Sequence, residues 1–384
     1  MAQVPPLSSR LADPSRPVFL LGDVPPGEGT PPGKCQTICN KFMARSRALA
    51  SDGFIVYDIQ DEPGRSDMER PFPFRRVMDS SRYGALLSRS SGKQCLIYKC
   101  VADPDFEEWV EKATVEHGHN AINLVGRASS EGAYEGPTIS EAMDIVRKKN
   151  QFGCVCIAER HTLEAAEKRG KAYPTEHQNM IRKQKAGAEW FISQAVYDPE
   201  PTIRLLKDYS ALCREQGIVP NKVVLTFAPV SRKKTLNFIK WLGVKVPEES
   251  ETKILEAEKP IDASVDLCCE ILKKILSECV GVGVPLGISC ESVSIYKAEI
   301  DGVHELFRKL QEILLDTRGS PWKVQWVEVL PFSNSAEKKE EATQEEKALV
   351  PVNNDLLLHA SFLGAVIGGS LFAMGVVLGG GRRK

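Results

Sequence analysis

One amide and two basic side chains, Asn179, Arg182 and Lys183, fall in a polar stretch without Gly or Pro, as an exposed helix requires. An Arg offers a planar fork and a Lys a point charge, and both suit a phosphate. The same pair on a solvated helix face is the commoner arrangement. Ala186-Gly187-Ala188 then ends the helix, since Gly is cheap in a left-handed cap. Residues 190–193 form a short apolar run of the kind that makes a buried parallel strand, and Gln194, Tyr197 and Asp198 sit just past it. In an α/β barrel that place is the catalytic rim, because the loops after the strands converge over the barrel mouth.

Other groups with chemical potential are scattered along the chain. Glu159 and His161 follow an apolar run at 153–157, and Glu291 and Ser292 follow one at 285–289. The loop after residue 59 is long and carries Gln60, Asp61, Glu62, Arg65 and Arg70 with Phe72 and Phe74; long loops after strands are functional or disordered, and its charges and aromatics favour function. His117 and His119 precede a strand, on the wrong side of a barrel for chemistry, so helix capping or surface roles suit them. Cys35 and Cys39 can share a helix face, but no second ligand pair has zinc spacing, and no metal is expected.

The elements that must position these residues read as eight strands at 18–21, 54–59, 94–101, 121–125, 153–157, 190–193, 223–227 and 285–289. Helical stretches alternate with them, notably 35–51, 106–116, 139–149, 201–216, 235–242, 265–278 and 300–315. Such alternation predicts an all-parallel sheet, and eight units in this length predict an α/β fold of the (β/α)8 TIM-barrel type over 18–330. No Gly-x-Gly-x-x-Gly follows the first strand and no phosphate-cradling Gly-Lys-Ser/Thr loop occurs, so nucleotide binding of those kinds is excluded.

The whole chain has 384 residues and a formal net charge of −1, which argues against a nucleic-acid surface. Its 11 Cys are dispersed, several inside apolar runs, as buried thiols of a reducing compartment would be. Residues 1–17 are rich in Pro and Ser, lack an apolar signal core and read as a disordered arm. A polar linker at 331–354 leads to 355–384, where the uncharged run 356–378 would span roughly 34 Å as a helix, enough for a bilayer core. The expectation is a tail-anchor transmembrane helix with the barrel facing the cytosol. The basic end, Arg382-Arg383-Lys384, leans to the mitochondrial or plastid outer membrane over the endoplasmic reticulum. Oligomeric state is open, a homo-oligomer included.

The order of the rim motifs resembles the methylenetetrahydrofolate reductase family of flavin-dependent (β/α)8 barrels. The matching residues are Asn179-Met-Ile-Arg182-Lys183, Ala186-Gly187-Ala188, Ile192-Ser193-Gln194 with Tyr197-Asp198, Glu159-x-His161, Pro229-Val230-Ser231 and Pro25-Pro26, and the likeness runs from about residue 18 to 310. The resemblance implies that Asn179, Arg182 and Lys183 hold the ribityl and phosphate groups of FAD. It places Glu176 and His161 at the flavin and Gln194 on the folate ring, with Tyr197 beside it. Two family acids are replaced: the position three residues before Pro25 is Gly22, and the acid after the fourth strand gives way to Arg127, a cation that would favour an anionic reduced flavin. Asp23, Asp58, Asp61 and Glu62 are the candidates to supply the missing proton donor, Asp23, Asp61 and Glu62 foremost.

The function so implied is an oxidoreductase of one-carbon metabolism that passes hydride from NAD(P)H, via FAD, to 5,10-methylenetetrahydrofolate. A direct transfer without flavin is a variant of it. The alternative is a membrane-anchored folate- or flavin-binding protein without turnover.

Overall fold

Strands that are apolar along their whole length cannot leave a face in water, and a parallel sheet covered on both faces accommodates them. The computed structural model describes residues 5–61, 66–126 and 135–316. In it β1 (Phe19–Asp23), β2 (Gly53–Val56), β3 (Cys95–Cys100), β4 (Ala121–Val125), β5 (Gln151–Cys156), β6 (Trp190–Ala195), β7 (Lys222–Phe227) and β8 (Leu286–Cys290) close into one barrel in sequence order. Every pairing is parallel, and β1 closes on β8 through Phe19 opposite Ile288, Leu20 opposite Ser289 and Leu21 opposite Cys290. The helices are α1 (Leu7–Ala12), α2 (Pro32–Ser46), α3 (Ser80–Ser91), α4 (Phe106–Glu111), α5 (Ile139–Arg147), α6 (Leu163–Glu167), α7 (Glu176–Lys185), α8 (Pro199–Glu215), α9 (Lys233–Trp241), α10 (Glu248–Leu255), α11 (Pro260–Glu278) and α12 (Lys297–Leu315).

Side-chain alternation divides the core into two layers. Leu20, Ile55, Leu96, Trp190, Ile192 and Val224 fill the barrel interior. Phe19, Leu21, Phe54, Ile97, Phe191 and Leu225 pack outward with the helices. Trp190 fits because Gly153 on β5 has no side chain: a Cβ there would lie 2.1 Å from the indole nitrogen. The helix expected at 106–116 is present as α4 continued by a π-helical turn, Lys112–Glu116.

The arm expected to be disordered over 1–17 is corrected by α1. Leu7 and Leu11 lie four residues apart, share one helix face and are buried against the barrel interior. Lys222, at the start of β7, donates to the Arg10 carbonyl at 2.6 Å, and Arg10 pairs with Asp52, whose Oδ2 accepts from the Phe19 amide at 2.9 Å. The helix therefore plugs the barrel floor, and burial pushes the Lys222 ammonium down to about 8. A Pro- and Ser-rich composition concealed a two-leucine anchor. The linker at 331–354 and the apolar run at 356–378 lie outside the described residues. Among the described residues no helix is long and apolar enough to cross a membrane.

Leu11→Ala should open a cavity at this plug. It is expected to lower stability by roughly 2–4 kcal/mol, read from the urea denaturation midpoint.

Candidate active site

The strand ends open into a cavity of about 620 Å³ at the C-terminal face of the barrel. Such a volume suits a small-molecule ligand, and this face carries the chemistry in barrels of this type.

One wall is built by the end of β5 and by α7. Glu176 opens α7, where the helix dipole favours an anion. Its Oε1 accepts from the Ile157 amide at 3.2 Å and its Oε2 from the Asn179 side-chain amide at 3.2 Å. One turn on, Lys183 donates to the Val155 carbonyl at 2.8 Å. The polar face of α7 is thus stitched to the strand, and Asn179, Arg182 and Lys183 all line the cavity. Arg182 is exposed at the rim and its side chain makes no hydrogen bond among the described residues, so its guanidinium is available to an anion.

Gln194 lines the floor and donates through Nε2 to the Leu242 carbonyl at 3.0 Å, leaving its carbonyl oxygen for a ligand. The β6–β7 register shifts between Ile192 and Ala195, where the Ser193 hydroxyl accepts from the Thr226 amide at 3.0 Å. Such an irregularity re-aims side chains. Here Ser193, Gln194 and Ala195 all reach the cavity, which strict alternation forbids.

The opposite wall carries Glu291, just past β8. It is 3% exposed, and the Tyr57 phenol donates to its Oε2. Tyr57 in turn meets Tyr98 edge to face, with ring centroids 4.9 Å apart. Burial, with no cation to offset it, pushes the Glu291 carboxyl up to about 8. Glu159 also lines the cavity, and burial raises it to about 7. Asp58 is raised as well, burial outweighing Lys99 at 4.0 Å and the donated Cys100 amide at 2.8 Å. The mouth therefore offers carboxyl groups that burial makes less acidic, beside basic and amide groups.

Five of the expected ligand residues on the flavin and folate side, Glu176, Asn179, Arg182, Lys183 and Gln194, come together in this cavity. His161 does not line it. The ring is fully buried, with Nε2 2.9 Å from Asp208 and an edge-to-face contact to His177 at 4.9 Å, so α8 holds it away from the mouth. The ligating atoms of His161, His177 and Asp208 lie within 4.8 Å of one another. Tyr197 is also buried away from the cavity, its phenol donating to the Ala228 carbonyl. Asp23 points outward from β1 and accepts from Tyr83 of α3 at 2.9 Å, because residue 22 holds the inward position. The Asp61 side chain is 63% exposed and pairs with Arg70 at 3.4 Å, outside the lining. Glu62 and Arg127 fall outside the described residues.

Residues 121–285 match the family model described as methylenetetrahydrofolate reductase. Over that stretch the chain resembles the methylenetetrahydrofolate reductase family. The matched stretch runs from β4 to the edge of β8 and includes all of α7 and Gln194. A solved structure, described as an uncharacterized protein from Clostridium thermocellum that binds two copies of 5-methyl-5,6,7,8-tetrahydrofolic acid, is 26% identical. It covers 80% of this chain and 100% of its own, with a TM-score of 0.66. A GH113 beta-1,4-mannanase is 13% identical over 77% of this chain and 98% of its own, with a TM-score of 0.45. No curated protein sequence matches the chain. The cavity also holds an acid to which motif order gave no role, Glu291. The available signal was a lone acid directly after the last apolar run.

A carboxyl raised on folding binds its proton more tightly in the folded state, so its contribution to stability falls as pH rises from about 4.5 towards about 8. Glu291→Gln should remove that fall. Above pH 8 the variant is expected to exceed wild type by roughly 1–3 kcal/mol in urea denaturation.

Proposed function

We propose that the barrel is a folate-dependent oxidoreductase that passes hydride from NAD(P)H, via FAD, to 5,10-methylenetetrahydrofolate. The observation that carries this reading is the convergence of Glu176, Asn179, Arg182, Lys183 and Gln194 on one cavity. The family match over 121–285 and the folate-binding neighbour support it.

The donor set fits a flavin. Leu124, Val155 and Ile157 give the cavity an apolar surface for a flat ring, next to the side-chain amide of Asn179 and the free guanidinium of Arg182. Asn179 and Glu176 would hold the ribityl hydroxyls, and Arg182 with Lys183 the phosphates. The chemistry FAD supplies when bound is to accept hydride and hand it on. Gln194 keeps its carbonyl oxygen for a pterin N–H, because Leu242 fixes the amide's orientation. Trp241 and Leu242, at the end of α9, shield that side of the cavity from water.

A second reading is a folate- or flavin-binding protein without turnover. It is favoured by Gly22, which stands where the family carries its acid. Purified full-length protein separates the two: reduced-folate binding, flavin uptake and folate-dependent NAD(P)H oxidation are measured side by side. All three are expected. Gln194→Ala should weaken folate about tenfold, the worth of one buried hydrogen bond, and Arg182→Ala should weaken flavin by a similar factor. Folate binding without any NAD(P)H oxidation would establish the second reading, and absence of both ligands would overturn the two together.

We also propose that residues 356–378 hold the barrel at a membrane. Removing 355–384 should shift the protein from the membrane pellet to the soluble fraction, and retention in the pellet would exclude a tail anchor.

A further inference from the structure

Closure of the barrel sets the ends of β1 and β8 side by side, and at that seam residue 22 is glycine. A Cβ on Gly22 would stand 2.9 Å from the Tyr57 ring and phenolic oxygen and 3.0 Å from the Glu291 Cβ. Contacts that close do not occur between real side chains, so the missing side chain is what lets Tyr57 and Glu291 meet across the mouth. The space over Gly22 is thus taken by the Tyr57 ring and by Glu291, just past β8, whose carboxyl the phenol meets.

That carboxyl is placed to donate. Its Oε2 accepts the Tyr57 proton, and its Oε1 has no partner among the described residues while the residue lines the cavity. The charged and titratable groups around it include Asp23 of β1, Tyr57 and Asp58 just past β2, Tyr98 and Lys99 of β3, and Lys297 and Glu299 of α12. The end of β7 brings Thr226 and Phe227, the latter taking the Glu291 amide on its carbonyl at 3.1 Å, while Lys222 at its start is bonded to the Arg10 carbonyl. The cations on these elements are held elsewhere, Lys99 by Asp58 and Asp103 and Lys297 by Asp301. Asp23 is turned to Tyr83, and Glu299 is held by Ser231, Thr235 and Ser294.

We infer that Glu291 is the proton donor to the pterin ring bound in the mouth, and that Tyr57 is its positioning residue. The inference rests on the folate reading above and names the acid for it. The proton leaves Glu291 Oε1 for a ring nitrogen of the ligand. The O–H pair of electrons stays on the carboxylate, which the Tyr57 phenol stabilises through Oε2. The raised titration of Glu291 keeps the donor protonated at neutral pH.

Binding of 5-methyltetrahydrofolate to the full-length protein, followed from pH 6 to 9.5 in wild type, Glu291→Gln and Tyr57→Phe, tests this. Wild-type affinity is expected to hold below the breakpoint and to fall about tenfold per pH unit above it, one proton being lost from the donor. Glu291→Gln keeps an N–H donor, so it should bind within a few-fold of wild type at pH 6 and show a flat profile. It also subtracts any titration of the ligand. Tyr57→Phe removes a bond to the charged form and should move the breakpoint to higher pH, an effect that a merely structural tyrosine would not have. Binding whose pH profile is unchanged in Glu291→Gln overturns the role of Glu291 and leaves the folate reading intact. Should that variant not fold, an unmoved breakpoint in Tyr57→Phe overturns it equally. Failure of wild type to bind at any pH overturns the folate reading and this inference with it.

Discussion

Parallel closure of β1 on β8 is the constraint from which the site follows. A barrel of eight short strands has no edge, so residues more than two hundred positions apart become neighbours at the seam. Register then settles which atoms meet. Leu21 lies opposite Cys290, so the next residues along, Gly22 and Glu291, face each other over the mouth. Because successive strand residues alternate sides, the same register sends Asp23 outward to Tyr83. One glycine and one acid exchange what a single strand end would otherwise supply.

The mouth has two walls of different character. The wall formed by β5, β6 and α7 lies within the stretch that matches the family and carries amides and cations: Asn179, Arg182, Lys183 and Gln194. Such groups suit phosphates, hydroxyls and ring edges. The wall formed by β2, β3 and β8 lies outside that stretch and carries a buried acid with two tyrosines, Glu291, Tyr57 and Tyr98. Burial without a cation keeps such an acid neutral. The amide and cation wall and the buried acid therefore sit on separate parts of the chain, and closure of the barrel brings them to one volume.

Order below the mouth comes from packing of a different kind. Trp190 occupies the interior space that Gly153 leaves, and α1 seals the floor with Leu7 and Leu11. A rigid, filled interior holds the strand ends at fixed separations, which a site of converging side chains requires.

The strands were legible because each is a short apolar run bounded by turn residues, and all eight appear within a few positions of where the pattern places them. The polar face of α7 was legible for a similar reason, since Asn179, Arg182 and Lys183 fall within one helix and need no distant contact to share a surface. α1 was hidden by its composition. Tertiary structure alone decided which rim residues look inward. Gln194 enters through a shift in strand register, His161 is drawn off by Asp208 on α8, and Asp61 stays in solvent beside Arg70. Local sequence determines helix, strand and the chemical type of each side chain, because those depend on near neighbours. The direction a side chain takes at a strand end, and the partner it finds there, depend on register between strands remote in sequence, and for Glu291 on the absence of a side chain at Gly22.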